Sequence, residues 1–100
     1  MKVREIAHAR AGDKGNISNL SLIAYRIEDY RLLVQQVTAE RVKAQFAGIV
    51  DGEVQRFLLP GLGAMNFVLH GALGGGVTRS LALDAHGKSL SSAILDIDLG

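Results

Sequence analysis

Two polar segments that contain glycine hold most of the side chains that could bind a charged ligand. Residues 10–16 read Arg-Ala-Gly-Asp-Lys-Gly-Asn, and residues 71–79 read Gly-Ala-Leu-Gly-Gly-Gly-Val-Thr-Arg. Glycine has no Cβ atom, so its backbone N–H groups can approach a ligand closely and positive φ angles cost little. Guanidinium and ammonium groups beside such amides favour phosphate or carboxylate. The two segments therefore predict a binding site for an anion.

Each segment contributes a cation and accessible backbone to this site. Arg10 offers a planar fork and Lys14 a compact point charge, while the hydroxyl of Thr78 stands next to the guanidinium of Arg79 in sequence. Each segment also has a structural alternative, which is a charged hairpin tip for the first and a close chain crossing after a helix for the second. The predicted ligand-binding residues are Arg10, Lys14, Gly15, Asn16, Gly74, Gly75, Gly76, Thr78 and Arg79.

Acid–base chemistry has three candidate residues. His8 and His70 are candidates because histidine is the side chain that ordinarily titrates near neutral pH, and Asp13 could orient a neighbouring cation or act as a base. A hydrogen-bonded structural role is the alternative for both histidines. The chain has no cysteine, and no two histidines have the spacing of metal ligands on a helix, so neither a metal site nor a cofactor is predicted.

Composition narrows the class of protein. A chain of 100 residues, 48% of them hydrophobic, is expected to form a single domain over residues 1–100. The net charge is +1 and the basic residues are scattered, so nucleic acid is not an expected partner. The longest apolar run, residues 64–73, is interrupted by polar residues and is too short for a membrane span. No apolar leader opens the sequence, and a cytoplasmic protein is expected.

The pattern of apolar residues predicts the elements that must position these segments. Strands are expected over residues 3–9, 17–25, 54–59 and 77–83. Helices are expected from Asp29 to about Val37 and from Ala39 to a stop at Gly48. Residues 64–73 fit a buried helix better than a strand, although a strand is possible for so short a run. The tail fits either a helix or a strand, and a short helix with an extended end is favoured. Helices must cover one face of a small sheet to bury their apolar sides. The expected fold is an α+β two-layer sandwich, close to ferredoxin-like, with a mostly antiparallel sheet.

Three motifs, taken together, resemble a known family. They are His-Ala-Arg-Ala-Gly-Asp-Lys-Gly-Asn at residues 8–16, Leu-Pro-Gly-Leu-Gly-Ala-Met-Asn-Phe at residues 59–67 and His-Gly-Ala-Leu-Gly-Gly-Gly-Val-Thr-Arg-Ser at residues 70–80. Nearly the whole chain resembles the small C-terminal domain of AtuA-type proteins, which are associated with acyclic terpene utilisation. The resemblance implies a ferredoxin-like domain that works beside a larger one, in acyl-CoA or terpenoid-acid catabolism. It implies no established catalytic residues.

The residues and the resemblance together favour an accessory subunit or domain. In this hypothesis the chain docks on a larger AtuA-like protein or on another copy of itself, and contributes its two polar segments to a site for an acyl-CoA or a small carboxylate. One alternative is a small hydratase or isomerase that uses His8, Asp13 or His70 as acid or base. The other is a structural module for oligomerisation, in which the glycines only permit tight packing.

Overall fold

The computed structural model of the chain describes residues 1–14, 17–46, 50, 52–71 and 89–100. Within these ranges one sheet contains the strands β1 (Ala7–Lys14), β2 (Ile17–Ala24), β3 (Val54–Leu59) and β4 (Ala64–His70). The spatial order is β1-β2-β4-β3, and every neighbouring pair is antiparallel. β1 and β2 form one hairpin and β3 and β4 another, and β2 and β4 lie side by side in the middle.

Three short helices accompany the sheet in the described part of the chain. They are α1 (Tyr30–Gln36), α2 (Ala39–Gln45) and α3 (Ser89–Leu95). Thr38 begins α2, and its Oγ1 accepts a hydrogen bond from the backbone N–H of Arg41 at 3.1 Å. This bond satisfies one of the N–H groups that the first turn of a helix leaves without a partner. The predicted start of this helix is confirmed.

The hydrophobic core lies between the helices and one face of the sheet. Leu20 and Leu22 on β2 face it, as do Met65, Phe67 and Leu69 on β4, and all five side chains are fully buried. The helices close the core with buried side chains at Leu33, Val42 and Ile94. The predicted ferredoxin-like α+β sandwich, a small antiparallel sheet with helices on one side, is confirmed. We call the face of the sheet away from the helices the outer face.

Residues 64–70 form a strand, so the favoured helix is wrong over these residues and the strand alternative is correct. Met65, Val68 and Leu69 recur at helical spacing, but the residues that the structure buries most deeply, Met65, Phe67 and Leu69, alternate. The alternation prevails because β4 is paired along both edges, with β2 and with β3. A central strand of this kind is apolar on one face and half-buried on the other.

The first strand also differs from the prediction. Residues Val3–Glu5 form a 3₁₀ turn instead of the start of a strand, and a carboxylate oxygen of Glu5 accepts from the backbone N–H of Lys2 at 2.7 Å. β1 then runs from Ala7 to Lys14, through most of the segment predicted as a polar loop. β1 can extend this far because Ala9 and Ala11 are small and lie on the side of the strand on which α3 packs.

Some of the remaining predictions fall on described residues and others do not. The strand predicted over residues 54–59 is confirmed, and so is the tail, where α3 is followed by an extended stretch. A left-handed glycine, Gly63 with φ of 59°, ends the turn between β3 and β4. The strand predicted over residues 77–83 and the helix stop at Gly48 lie outside the described residues.

The two ends of the chain pair with each other. The backbones of Lys2 and Asp98 form an isolated antiparallel β-bridge. The backbone N–H of Val3 donates to the carbonyl oxygen of Ile97 at 2.9 Å. The N-terminal ammonium of Met1 lies 3.4 Å from a carboxylate oxygen of Asp98. The last residues therefore hold the first ones against the core.

We expect acid to weaken the fold through Asp98. The backbone N–H of Gly100 donates to its carboxylate, and this bond, together with the N-terminal ammonium, holds the pKa of Asp98 below its ordinary value of 3.8. Such a carboxylate stabilises the fold above the unfolded pKa, and that contribution is lost as the pH falls through the folded pKa. Urea unfolding between about pH 5 and pH 3 should show a steeper loss for the wild type than for Asp98→Asn. Equal losses would contradict this role.

Candidate functional site

The outer face of the sheet carries the polar residues that alternate with the core. On β1, His8 and Arg10 point away from the helices, because Ala7 and Ala9, which alternate with them, face the core. On β4, Asn66 and His70 occupy the corresponding positions, each next to a buried residue of the alternating pattern. The antiparallel pairing arranges these residues in rows across the strands, so residues distant in sequence lie side by side.

One row marks the end of the sheet where both polar segments leave it. Lys14, the last residue of β1, pairs with Ile17 of β2, and Ile17 pairs with His70, the last residue of β4. We call this row the hairpin end. Gly71 follows His70 directly and has a left-handed backbone with φ of 74°. The tip of the first hairpin and the beginning of the glycine-rich segment therefore start from neighbouring strands at one end of the sheet.

His70 is held by three hydrogen bonds at the hairpin end. Its Nε2 lies 2.9 Å from Oε1 of Gln55 on β3. A carbonyl oxygen can only accept, so Nε2 donates, and in the neutral ring Nδ1 is then an acceptor. The backbone of His70 accepts from the N–H of Gly52 and donates to the carbonyl of Glu53, each at 2.9 Å. The ring is thus positioned by β3, which sequence reasoning did not show.

Arg10 lies in the middle of the outer face, at the β1 edge. It pairs with Ser21, which pairs with Asn66, and Oγ of Ser21 donates to Oδ1 of Asn66 at 3.5 Å. Arg10 is exposed and also lines a cleft of about 330 Å³ with Ala9, Ala11 and Ser91. It is four residues from Lys14 along the same strand, which corresponds to about 13 Å. The two predicted cations therefore occupy positions on the same face of β1, with Gly12 between them.

The two candidate histidines lie at opposite ends of the outer face. His8 pairs with Ile23 of β2, whereas His70 pairs with Ile17, six residues away along that strand. The separation is about 20 Å at the usual rise per residue. The ring of His8 stacks on Tyr25, with centroids 5.3 Å apart and planes at 23°. The two histidines therefore cannot act on one reacting atom as an acid–base pair.

For the remaining predicted residues, the structure gives either the backbone position alone or no position. Asp13, the third acid–base candidate, pairs with Ser18 one residue before the hairpin end. Ser18 is fully buried, and its hydroxyl has no hydrogen-bond partner among the residues that the structure describes. The other predicted ligand-binding residues lie outside the described ranges: Gly15, Asn16, Gly74, Gly75, Gly76, Thr78 and Arg79.

Sequence reasoning did not predict Gln55, Ser21 or Asn66 as neighbours of the candidate residues. Gln55 pairs with Val68, so it is the diagonal neighbour of His70 on the same face. Such contacts join positions 15 to 45 residues apart in the chain. The only signal for them is the strand register, which requires β4 to be identified as a strand.

A second cleft lies on the helix side, near the two ends of the chain. It has a volume of about 510 Å³, and Lys2 and Arg41 are its two cations. Both are already engaged, since Lys2 donates to the carbonyl oxygen of Asp96 at 3.1 Å and Arg41 to that of Asp98 at 2.6 Å. These cations join the C-terminal stretch to the rest of the fold, which leaves the hairpin end as the better candidate for a ligand.

In residues 1–14, 17–46, 50, 52–71 and 89–100 the structure gives no sign of a metal site or of a membrane-spanning helix. No group of three or more histidine, aspartate or glutamate side chains there is arranged to hold a metal ion. None of the helices in the same ranges is long and apolar enough to cross a lipid bilayer.

Comparison with known proteins gives one family. The family model described as the AtuA ferredoxin-like domain matches residues 1–100, which is the whole chain. No curated protein and no solved structure shows a significant match.

Proposed function

The chain belongs to the AtuA ferredoxin-like domain family, and on that basis we propose that it is the small component of an AtuA-type system and supplies an anion-binding site. Domains of this family are parts of AtuA-type proteins. The proposal treats residues 1–100 as one domain that works with a larger AtuA-like protein. The ligand class is an acyl-CoA or terpenoid acid, whose phosphates or carboxylate would meet the cations of the two polar segments.

One observation carries the proposal more than any other, namely the row formed by Lys14, Ile17 and His70. It brings the tip of the first hairpin and the start of the glycine-rich segment to one end of the sheet. Gly74 follows Gly71 by three residues, a length of chain that spans at most about 11 Å. The proposal takes the first of the three glycines to lie close to this row.

The charges near the hairpin end support an anion of extended shape. Arg10 and Lys14 stand about 13 Å apart along β1, a distance that a molecule with several anionic groups can bridge. The Nε2 atom of His70 is engaged with Gln55, so in the proposal the arginines and the lysine supply the attraction. Arg79 belongs to the same set in the proposal, at the exit of the glycine-rich segment.

The proposal predicts that two cations from different segments contribute to binding. Lys14→Gln and Arg79→Gln should each weaken binding of a CoA thioester about tenfold or more, because hydrogen bonds to charged groups contribute about 1.5–3 kcal/mol. Titration calorimetry with acetyl-CoA and with a small carboxylate, in the presence and absence of the larger AtuA-like protein, measures this.

The matched control is Arg31→Gln, which removes an exposed arginine from α1 and should leave affinity unchanged. Wild-type affinity in the Lys14→Gln, Arg79→Gln double variant, or no binding by the wild type in either condition, would overturn the anion site. A loss confined to Lys14→Gln would show that only the first segment binds.

A further inference from the structure

A cluster of large apolar side chains is exposed at the end of the sheet opposite to the hairpin end. We call it the apolar patch, and its members are Ile27, Phe57, Leu58, Leu59 and Leu62. They are five of the eight large hydrophobic side chains that the structure describes as exposed. Ile27 and Leu59 lie at the same turn, because Leu59 pairs with Ala64 and Ile27 lies beside Gly63, the residue before Ala64. Contiguous apolar surface of this kind marks an interaction site.

The patch includes the C-terminal half of β3, which is an edge strand. β3 pairs with β4 along one side and with no other strand in the described part of the chain. Edge strands are usually protected by lysine, proline or a bulge, and residues 54–59 contain none of these. Their one charge, Arg56, donates to the carbonyl oxygens of Val34 and Val37 on the helix side. The edge therefore carries no free charge that would repel another strand.

The exposed apolar residues lie on both faces of β3. Phe57 and Leu59 lie on the outer face with exposed fractions of 49% and 43%. Leu58 lies on the helix side and is still 44% exposed. A partner that packed on one face would leave the other exposed. A strand placed alongside β3 would cover both faces, because its side chains alternate in the same way.

We propose that the partner at this edge is a second copy of the chain, with β3 paired to β3 in antiparallel orientation about a two-fold axis at Leu58. Neighbours across an antiparallel pair lie on the same face, so such an axis must pass through a residue. With the axis at Leu58, Phe57 of one copy lies opposite Leu59 of the other on the outer face. Leu58 meets Leu58 on the helix side. Every apolar residue of the edge then faces another.

The size and charge of the surface fit a dimer. Five side chains exposed by about half contribute roughly 500 Å² per copy, or about 1,000 Å² over the two copies, which is the lower limit for a specific interface. The residues that flank Ile27 are the exposed Arg26 and Glu28, which carry opposite signs. Two copies related by a two-fold axis therefore place charges of both signs, and not of one sign only, beside the interface. The hairpin end lies about 13 Å from Phe57 and about 20 Å from Leu59 along the strands, and it stays open in this dimer.

Cysteine cross-linking tests the proposed register directly, since the chain has no cysteine of its own. Directly opposed strand residues have Cβ atoms about 4.5–5.5 Å apart, close enough for a disulfide after a small adjustment. The Leu58→Cys variant, oxidised with oxidised glutathione, should form a covalent dimer at least about tenfold faster than Ile17→Cys. Ile17 is the matched control because it is 39% exposed on the outer face at the hairpin end.

Sedimentation equilibrium supplies an independent measurement without a cross-link. Wild type should dimerise with a micromolar dissociation constant, Leu58→Glu and Leu62→Glu should raise that constant about tenfold or more, and Ile17→Glu should not. A monomeric wild type, or Leu58→Cys that cross-links no faster than Ile17→Cys, would overturn the dimer. If Leu58→Glu instead releases the larger AtuA-like protein from a monomeric chain, the patch docks on that protein and the dimer is also overturned. The inference does not depend on the anion site, because the calorimetric variants are at the other end of the sheet.

Discussion

Replacing Arg56 with methionine is expected to lower the free energy of unfolding by about 2–4 kcal/mol. The Nη1 atom of Arg56 donates to the carbonyl oxygens of Val34 and Val37, both at 2.8 Å. These carbonyls end α1, where a helix leaves its C=O groups without internal partners and carries a partial negative charge. Methionine keeps an apolar stem but leaves both oxygens without this donor. Urea unfolding followed by circular dichroism measures the change.

Arg31→Met is the matched control for this prediction. Arg31 is exposed on α1 itself, and its replacement should change stability by less than about 0.5 kcal/mol. If the two variants lost the same amount, the contacts of Arg56 with α1 would contribute nothing beyond an exposed charge. Because Arg56 lies on β3, a large effect would also show that β3 and α1 are stabilised together.

Parts of the fold with local signals could be predicted from the sequence. Thr38 begins α2 because a hydroxyl at that position can accept an N–H of the first turn, and the hydrogen bond involves only neighbouring residues. The bounds of β3 were also predictable, since Gly52 lies before it and Pro60 directly after it. Both signals act over a few residues, so they can be recognised without knowledge of the tertiary structure.

Parts of the fold that depend on pairing could not be predicted in this way. Residues 64–70 satisfy helical spacing and strand alternation at once, and only the pairing of β4 with β2 and with β3 decides between them. The segment around Gly12 has the composition of a turn, but the register with β2 extends β1 through it to Lys14. In both cases long-range hydrogen bonds override a local preference.

The candidate site was predictable as a list of residues but not as a geometry. Arg10, Lys14 and His70 were predicted from residue type, and the sheet brings Lys14 and His70 into one row. Only the strand register shows that His8 and His70 lie at opposite ends of the outer face. The contact between His70 and Gln55 likewise joins two strands that are adjacent only after folding. Residue types indicate which chemistry is available, while the register decides which groups can act together.

The sheet therefore has two ends with different chemistry. The hairpin end has polar termini of β1 and β4 and an ordered histidine, whereas the apolar patch occupies the other end. A dimer through the patch leaves two hairpin ends facing outwards, each open to a ligand or to a larger protein. Binding and self-association are then separable by substitution, which is why variants at the two ends serve as controls for each other.

Alanine at position 52 is expected to lower the free energy of unfolding by about 2–4 kcal/mol and to weaken anion binding at the hairpin end. A Cβ atom there would lie 2.5 Å from the carbonyl oxygen of His70, the same oxygen that accepts the N–H of Gly52 at 2.9 Å. That oxygen cannot move freely, because His70 ends a strand that is paired along both edges. Relief of the clash must therefore break this hydrogen bond and displace the row that contains Lys14 and Ile17.

Gly61→Ala is the control for this prediction, because it makes the same chemical change where a Cβ atom would meet nothing within 4 Å. Gly61 lies in the turn between β3 and β4, and its replacement should change stability by less than about 1 kcal/mol. Thermal unfolding and acetyl-CoA calorimetry on both variants separate the two effects. A Gly52→Ala protein as stable as Gly61→Ala would mean that the backbone at His70 yields easily. Reduced stability with unchanged binding would place the anion away from this end of the sheet.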